Sequence, residues 1–353
     1  MSYYSKVIII MDTQSCKMKK VLLLFSLIFI LGCSFPVQVA FGTPTPTPTL
    51  EPAPTLTQTP QATPQPGTDQ NPLILALAPS AHPSDTVIAA GDVIAAFLES
   101  KTGYRVVTVI PSSEAALVEA LANGNTQIAS LSPYGFAIAH EENTVTALLA
   151  RVRDGQTFYG AQIIANREKG FTSYYDETRG ENTAEAVEAL KQFEEKKPCW
   201  SDEESPSGYV VPLGLLTQSE VQPRSGAFLE GQPNVVRAVY ADDICDFGAT
   251  YVDARATPIL EADYPDVMDK VIVIWRIPEI IPYENISIST SLPFEMRRVI
   301  QRALIDLMGT PEGKSAMQTV YGFDEVQPVE DSAYEEFITY VYAAKLDLLS
   351  LIK

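Results

Sequence analysis

The strongest constraint on the fold is a short-period alternation of strand-like and helix-like segments that begins at Pro72. Residues 73–78 form a continuous apolar run typical of a buried strand, and residues 84–100 carry apolar side chains at helical spacing before Gly103. Strand-like residues 104–110 come next. Strands that alternate with helices at this spacing favour an α/β fold with a mostly parallel sheet.

The following residues continue the alternation and carry helix-capping signals. Ser113 is suited to cap a helix over 114–123 that Gly124 ends, and Ser132 with Pro133 begins another helix after a strand at 127–131. The later chain predicts strands at 161–166 and 271–275, a strand at 197–201 followed by a helix at 210–216, and amphipathic helices at 183–196, 295–308 and 333–346.

The N-terminus resembles an export signal. Three lysines at 17, 19 and 20 precede an apolar run at 21–31, which as a helix would span only about 16 Å. A bilayer core is about 30 Å thick, so a secretory signal over residues 1–32 is favoured over a membrane span. Ile30-Leu31-Gly32-Cys33 resembles the lipobox of bacterial lipoproteins, which implies cleavage before Cys33 and a lipid on its sulfur. The alternative is an ordinary signal peptide with an incidental cysteine.

A tether is predicted over residues 33–71. Its central part, 42–67, is rich in threonine, proline and glutamine and has too little apolar content to form a core. Such a sequence is typical of a semi-rigid spacer, which would hold a folded body away from the membrane.

Charge and composition exclude several classes of function. The chain has 44 acidic and 25 basic residues, a formal charge of −19, which argues against nucleic acid and against an anionic membrane surface as partners. Its two histidines, His82 and His140, argue against a histidine-built metal site. HExxH, GxSxG and GxxxxGK[ST] motifs are absent from the sequence, so catalysis is not expected.

Four segments in order resemble one family. They are GYRVVTVIPSSEAALVEALANGNTQIASLSPYGFAIAHE at 103–141, RVRDGQTFYGAQIIANRE at 151–168, SPSGYVVP at 205–212 and IPYENISISTSLP at 281–293. They resemble the periplasmic phosphate/phosphite/phosphonate-binding proteins, which are type II solute-binding proteins of ABC importers. The resemblance implies two α/β lobes joined by a two-strand hinge. Lobe one would comprise 72–162 and, with the C-terminal helices, 281–353, and lobe two would comprise 163–280.

Two helix N-termini carry hydroxyl groups suited to an oxyanion, because free backbone N–H groups and the helix dipole favour negative charge there. Each hydroxyl could instead be only a helix cap or a turn residue, each tyrosine a core residue, and Asp253 a solvated loop residue. With the positions that the resemblance implies, the candidate ligand-binding residues are Ser80, Ser132, Tyr134, Tyr159, Ser205, Ser207, Gly208, Tyr209, Gln232 and Asp253.

Two departures from the family concern the identity of the ligand. The family's Ser-Thr-Ser-Gly is Ser205-Pro206-Ser207-Gly208 here, and Gln232 stands where the family often has histidine. Asp253 could accept a hydrogen bond from an acidic O–H of the ligand or pair with a ligand amine.

Cys199 and Cys245 form an even pair in a chain expected to be exported, which predicts a disulfide within lobe two. Two unpaired buried thiols are the alternative.

The sequence therefore predicts a monomeric, lipid-anchored receptor on the outer face of the cytoplasmic membrane, without metal or cofactor. It would deliver a phosphonate, phosphite or phosphate to ABC permease subunits after its two lobes close. The alternative is a sensory or uptake receptor of the same fold for a different small metabolite.

Overall fold

The computed structural model describes residues 64–352. The predicted signal segment 1–32, Cys33 and the tether as far as residue 63 lie outside the described residues. Within 64–352 no helix is both long and apolar enough to span a membrane. The folded body begins at Gly67, earlier than the predicted Pro72, because the Gly67 carbonyl accepts a hydrogen bond from Arg105 N at 2.8 Å and Gly67 lies against the Tyr104 ring.

Lobe one contains a six-stranded sheet in the order β13-β4-β12-β3-β1-β2. The strands are β1 (Leu73–Ala76), β2 (Val106–Val109), β3 (Ile128–Leu131), β4 (Val145–Val152), β12 (Asn285–Ser289) and β13 (Glu325–Pro328). One face packs on α1 (Asp85–Thr102), α9 (Phe294–Met308) and α10 (Pro311–Tyr321), and the other on α2 (Glu114–Ala122) and α3 (Pro133–Glu141).

Lobe two contains a five-stranded sheet in the order β11-β5-β10-β8-β9. The strands are β5 (Phe158–Asn166), β8 (Pro198–Trp200), β9 (Ala227–Phe228), β10 (Phe247–Tyr251) and β11 (Val271–Pro282), with a small hairpin of β6 (Tyr175–Asp176) and β7 (Glu181–Asn182). One face packs on α6 (Gln232–Ala241), α7 (Pro258–Asp263) and α8 (Val267–Lys270), and the other on α4 (Ala186–Ala189) and α5 (Val211–Gln218).

The two-lobe α/β architecture is confirmed, but neither sheet is mostly parallel. In lobe one only β1 is parallel to its two neighbours, β2 and β3, because β12 arrives from the other lobe, inserts between β3 and β4 and runs antiparallel to both. In lobe two β5 is antiparallel to β10 and β11, whereas β8 is parallel to β10 and β9.

Two chain crossings join the lobes, as a two-strand hinge requires. The chain passes from β4 to β5 through residues 153–157 and returns from β11 to β12 through 283–284. The crossings lie a few residues outside the predicted boundaries at 162 and 280, because β5 and β11 pair with each other along their whole length in the lobe-two sheet. Strand β11 is longer than the predicted 271–275, since Ile281 still pairs with Tyr159.

The predicted long helix at 183–196 is wrong. A single α-helical turn, α4, is followed by a 3₁₀ turn at Leu190–Phe193. The Asn182 side chain binds both the N–H and the carbonyl of Arg276, at 2.9 and 2.7 Å, which fixes the preceding hairpin to the edge of β11. Tertiary attachment at this edge outweighs the helical propensity of the charged segment.

The C-terminal segment contacts both lobes. Asp331 accepts hydrogen bonds from Thr146 Oγ1 and Ala147 N of lobe one, each at 2.7 Å. Helix α11 (Glu335–Ala343) then packs on α5 of lobe two, where Gly214 lies directly against the Tyr340 carbonyl. The C-terminal segment is thus a third connection between the lobes.

The disulfide between Cys199 and Cys245 is confirmed. It joins β8 to the loop before β10, with the two Cα atoms 5.6 Å apart and 46 residues apart in sequence. Both cysteines belong to lobe two, so the bond stiffens that lobe and leaves the hinge unconstrained.

Candidate ligand-binding cleft

A cleft of about 670 Å³ lies where the two lobes meet. Its walls come from the start of α3, both hinge crossings, the turn before α5, the start of α6 and the end of β10. Of the predicted residues, Tyr159, Ser205, Ser207 and Gln232 line this cleft. The structure therefore brings together two lobe-two hydroxyls, a tyrosine and Gln232.

Gln232 is the centre of this group. It is the first residue of α6, and its Oε1 accepts a hydrogen bond from Tyr251 N at 3.1 Å, which fixes the orientation of the carboxamide. Its Nε2 then faces three serine hydroxyls, with Ser201 Oγ at 3.2 Å, Ser205 Oγ at 3.1 Å and Ser207 Oγ at 3.4 Å. One amide thus positions the hydroxyls of the predicted anion site.

Ser205 is arranged as a hydrogen-bond donor toward the cleft. Its Oγ accepts from the Gly208 N–H at 3.0 Å, as a helix cap, and also from Gln232 Nε2. A serine hydroxyl has two acceptor lone pairs and one donor hydrogen. Since both lone pairs are occupied, the hydrogen is directed to another acceptor, as an oxyanion requires.

Gly208 makes this packing possible. A Cβ atom at this position would overlap Ser201 Oγ and would lie 2.9 Å from Gln232 Nε2. The backbone donors expected from this turn already have acceptors, because the Gly208 N–H binds Ser205 Oγ and the Tyr209 N–H binds the Ser205 carbonyl. Gly208 therefore supports the site through the space it leaves for Gln232.

Tyr159 forms an aromatic wall beside the serines. Its ring stacks on Tyr283 with centroids 5.1 Å apart, so that the start of β5 is joined to the second hinge crossing. Burial raises the pKa of the Tyr159 hydroxyl to about 12, although a hydrogen bond with Ser207 acts in the opposite direction. Tyr159 is therefore a neutral donor throughout the physiological pH range.

The helix terminus of lobe one is already occupied by a carboxylate of the chain itself. Glu114 Oε1 accepts the Ser132 N–H at 2.6 Å, while Ser132 Oγ caps α3 by accepting the Gly135 N–H at 3.1 Å. A Cβ on Gly135 would overlap Glu114 Oε1, so glycine is needed for this approach. Burial raises the pKa of Glu114, partly offset by the hydrogen bonds from Ser132. The Ser132 N–H, which was expected to face the ligand, is thus bound to the Glu114 carboxylate.

Three other predicted residues have partners away from the cleft walls. Ser80 Oγ accepts from His82 N at 3.2 Å in the loop after β1. The Tyr134 hydroxyl donates to the Glu204 carbonyl at 3.0 Å, which links α3 of lobe one to lobe two. The Tyr209 ring packs on Trp200 and the edge of Phe228.

The Asp253 carboxylate has its hydrogen-bond partners within the protein. Its carboxylate accepts hydrogen bonds from the buried Arg255 side chain, the shortest at 2.7 Å, and from Gln162 Nε2 at 2.8 Å, and Arg276 lies 3.6 Å away. Burial alone would raise the pKa of Asp253, but the hydrogen bonds and charge of Arg255 outweigh it and lower the pKa. Asp253 was expected to accept a hydrogen bond from the ligand, but its negative charge is compensated by Arg255 and Arg276.

The candidate list missed the residues of the two hinge crossings. Arg153 lies with its guanidinium 5.9 Å from the Tyr283 ring, and Glu284 is ion-paired with Arg151 at 2.9 Å. Arg153, Tyr283 and Glu284 line the cleft, as does Gln156. They could have been found from the sequence because a chain crossing between two lobes must border the cleft between them. The cleft lining carries one cation, Arg153, and two carboxylates, Asp154 and Glu284, so neutral hydroxyl and amide donors must supply most of the binding of an anion.

Acidic, histidine and cysteine side chains within residues 64–352 form no group of three or more that could hold a metal ion.

The comparisons with known proteins agree with this architecture. One curated relative, the phosphate-import protein PhnD of Mycolicibacterium smegmatis, is 28% identical over 190 residues, which are 51% of this chain and 54% of that protein. The chain thus spans about half the length of this curated relative.

Among solved structures, XAC2383 from Xanthomonas citri bound to ATP matches with a TM-score of 0.53 and 14% identity, over 77% of this chain and 96% of that one. Transferrin 1 from Manduca sexta matches with a TM-score of 0.50 and 11% identity, over 77% of this chain and 47% of that one. At these identities the likeness shows the fold alone. Residues 75–334 match the family described as the periplasmic phosphonate substrate-binding protein of ABC transporters, and the chain belongs to that family.

Proposed function

We propose that this protein is the substrate-binding lipoprotein of an ABC importer and that it captures phosphonate, phosphite or phosphate between its lobes. The observation that carries the proposal is the Gln232 amide, whose hydrogen bonds leave the Ser205 hydroxyl free to donate into the cleft. The hydroxyls of Ser207 and Tyr159 lie beside it. Converging neutral donors suit a tetrahedral oxyanion in a protein of overall negative charge.

Ligand binding would act by favouring a closed arrangement of the lobes. Cleft residues come from both hinge crossings and from both lobes, so a bound anion could interact with both sides only when they approach. A ligand shifts such an equilibrium by its difference in affinity for the two states. The closed protein, a monomer without enzymatic activity, would then dock on the permease.

The N-terminal segment would place this receptor on the outer face of the cytoplasmic membrane. Cleavage before Cys33 and lipidation of its sulfur would anchor the chain, and residues 33–71 would act as the tether. Expression of the wild type and of Cys33→Ala in a lipoprotein-processing host tests this point. The wild type should appear in the membrane fraction with a lipid-sized mass increase, and Cys33→Ala should lose both properties. An unlipidated wild type would contradict the anchor.

The ligand class is tested by calorimetry and thermal shift with phosphate, phosphite, methylphosphonate, 2-aminoethylphosphonate and sulfate. A ligand at 100 times its Kd should stabilise the protein by about 2.7 kcal/mol. At least one phosphorus oxyanion should bind below millimolar concentration and more tightly than sulfate. Absence of binding by every phosphorus compound would overturn the proposal.

A further inference from the structure

A second cavity, here called the side cavity, adjoins the cleft. It has a volume of about 690 Å³ and shares Gln156, Tyr159 and Val252 with the cleft. Beyond these shared residues its walls are formed by Tyr175, Arg276 and Pro278, among others. The two spaces therefore border each other at these residues, and a ligand group that extends from the cleft past Tyr159 would enter the side cavity.

Closure of the lobes would not eliminate this space. All lining residues belong to lobe two or to the hinge, so the walls of the side cavity do not depend on the approach of lobe one. A phosphate with four oxygen atoms occupies only about 120 Å³, if each oxygen takes the ~30 Å³ of a water molecule. The oxyanion therefore fits within the cleft alone, and the side cavity is available to another part of the ligand.

The wall formed by Tyr175 and Arg276 is planar and firmly held. The Arg276 guanidinium lies 4.5 Å from the Tyr175 ring centroid and donates to Gln162 Oε1 at 3.1 Å. Both backbone groups of Arg276 are bound by Asn182 of the hairpin. A wall whose side chains are fixed in this way can bind a flat group with little loss of conformational entropy.

Charge around the side cavity disfavours an ionic occupant. Asp253, which could have attracted an ammonium group, is compensated by Arg255 and Arg276. The two glutamates of the lining also have partners, since Glu181 is ion-paired with Arg179 at 3.1 Å and Glu279 accepts a hydrogen bond from Gln156 at 3.3 Å, and both would repel a second anionic group. A neutral group that stacks on aromatic and guanidinium planes fits these surroundings best.

We propose that the side cavity binds an uncharged aromatic or apolar substituent of an organophosphonate or phosphate monoester, with the phosphoryl group held at Ser205 and Ser207. This inference rests on the proposed function. It assigns the protein to organic phosphorus compounds, as opposed to free phosphate alone.

The experiment compares methylphosphonate with phenylphosphonate by isothermal titration calorimetry. On the wild type, phenylphosphonate should bind about tenfold more tightly, the range of one good aromatic contact together with its burial. Tyr175→Ala should abolish most of this difference and leave the Kd of methylphosphonate within about twofold. Tyr264→Ala is the matched control, because Tyr264 is also a half-buried tyrosine packed on the same core cluster but does not line the cavity.

The outcomes separate the two proposals. If methylphosphonate binds but phenylphosphonate is rejected, or if Tyr175→Ala weakens both ligands equally, the side cavity is not a substituent site. If neither phosphonate binds the wild type, this inference fails, whereas the proposed function fails only if phosphate and phosphite do not bind either. Should Tyr175→Ala not fold, Tyr175→Leu keeps the apolar packing without the aromatic plane and must show the same selective loss.

Discussion

Gln232→Glu replaces one amide nitrogen by a carboxylate oxygen of nearly the same size. The three serine hydroxyls that now accept from Nε2 would instead donate to the new carboxylate, at the present separations of 3.1 to 3.4 Å. Their hydrogens would turn away from the cleft. The substitution therefore reverses the polarity of the site while it preserves its shape.

The size of the effect follows from the distance between the new charge and the ligand. An oxyanion that accepts from Ser205 Oγ at about 2.7 Å would lie about 5 Å from the carboxylate. Two like charges at that distance repel by about 3 kcal/mol at an effective dielectric constant of about 20. This energy corresponds to a loss of affinity of about 100-fold.

Calorimetric titration with the tightest-binding phosphorus oxyanion measures this loss, and thermal unfolding of the free protein verifies that the variant folds. Gln218→Glu is the matched control, because Gln218 is exposed at the end of α5. That helix is about 12 Å long, beyond the Debye length of about 8 Å at physiological salt, so the control should bind normally. An affinity of Gln232→Glu within threefold of the wild type would show that the anion does not bind at these serines.

Three further predictions concern stability. Replacement of both Cys199 and Cys245 by serine should lower the free energy of unfolding by about 4 kcal/mol in urea titrations, as expected for a closed loop of this length, and a loss below 1 kcal/mol would contradict the structural role. Asp253→Asn should cost about 3 kcal/mol at pH 7 because it removes the closer of two carboxylates paired with the buried Arg255, the other being Glu177 at 3.2 Å. The folded pKa of Asp253 lies below its usual 3.8, so this stabilisation is complete above about pH 4 and is lost as the pH falls through the folded value. Asp253→Asn should remove that pH dependence from acid unfolding curves, and an unchanged curve would refute the ion pair's contribution. Gly214→Ala should lower the unfolding free energy by about 2 kcal/mol, since the added methyl overlaps the Tyr340 carbonyl, and an unchanged midpoint would refute this packing.

Local patterns predicted the elements of the fold well wherever capping and periodicity acted together. Ser113 and Ser132 each cap a helix as predicted, and Ser84 caps the helix found over the periodic segment that begins with it. The directions of the strands were less accessible, because β12 is placed beside β3 and β4 only after the chain has passed through lobe two. Pairing between segments so distant in sequence leaves no local periodic signal.

Only part of the predicted lobe-two group comes together at the cleft, because Tyr209 and Asp253 have partners elsewhere. Ser205, Ser207 and Gln232 converge in the cleft, as their motif and position suggested. The partners of Asp253 and Ser132 could not be foreseen. Whether a carboxylate is free depends on tertiary neighbours, and Glu114 reaches Ser132 from 18 residues away.

A crystal structure of the protein with methylphosphonate would show whether the lobe-two serines hold the oxyanion. We expect a closed cleft with one ligand whose oxygen atoms lie within about 3 Å of Ser205 Oγ and Ser207 Oγ. We also expect Glu114 to remain on Ser132, so that the anion meets lobe one without a hydrogen bond from the Ser132 N–H at the helix terminus of lobe one. A ligand bound at that terminus with Glu114 displaced, or bound outside the cleft, would contradict the account.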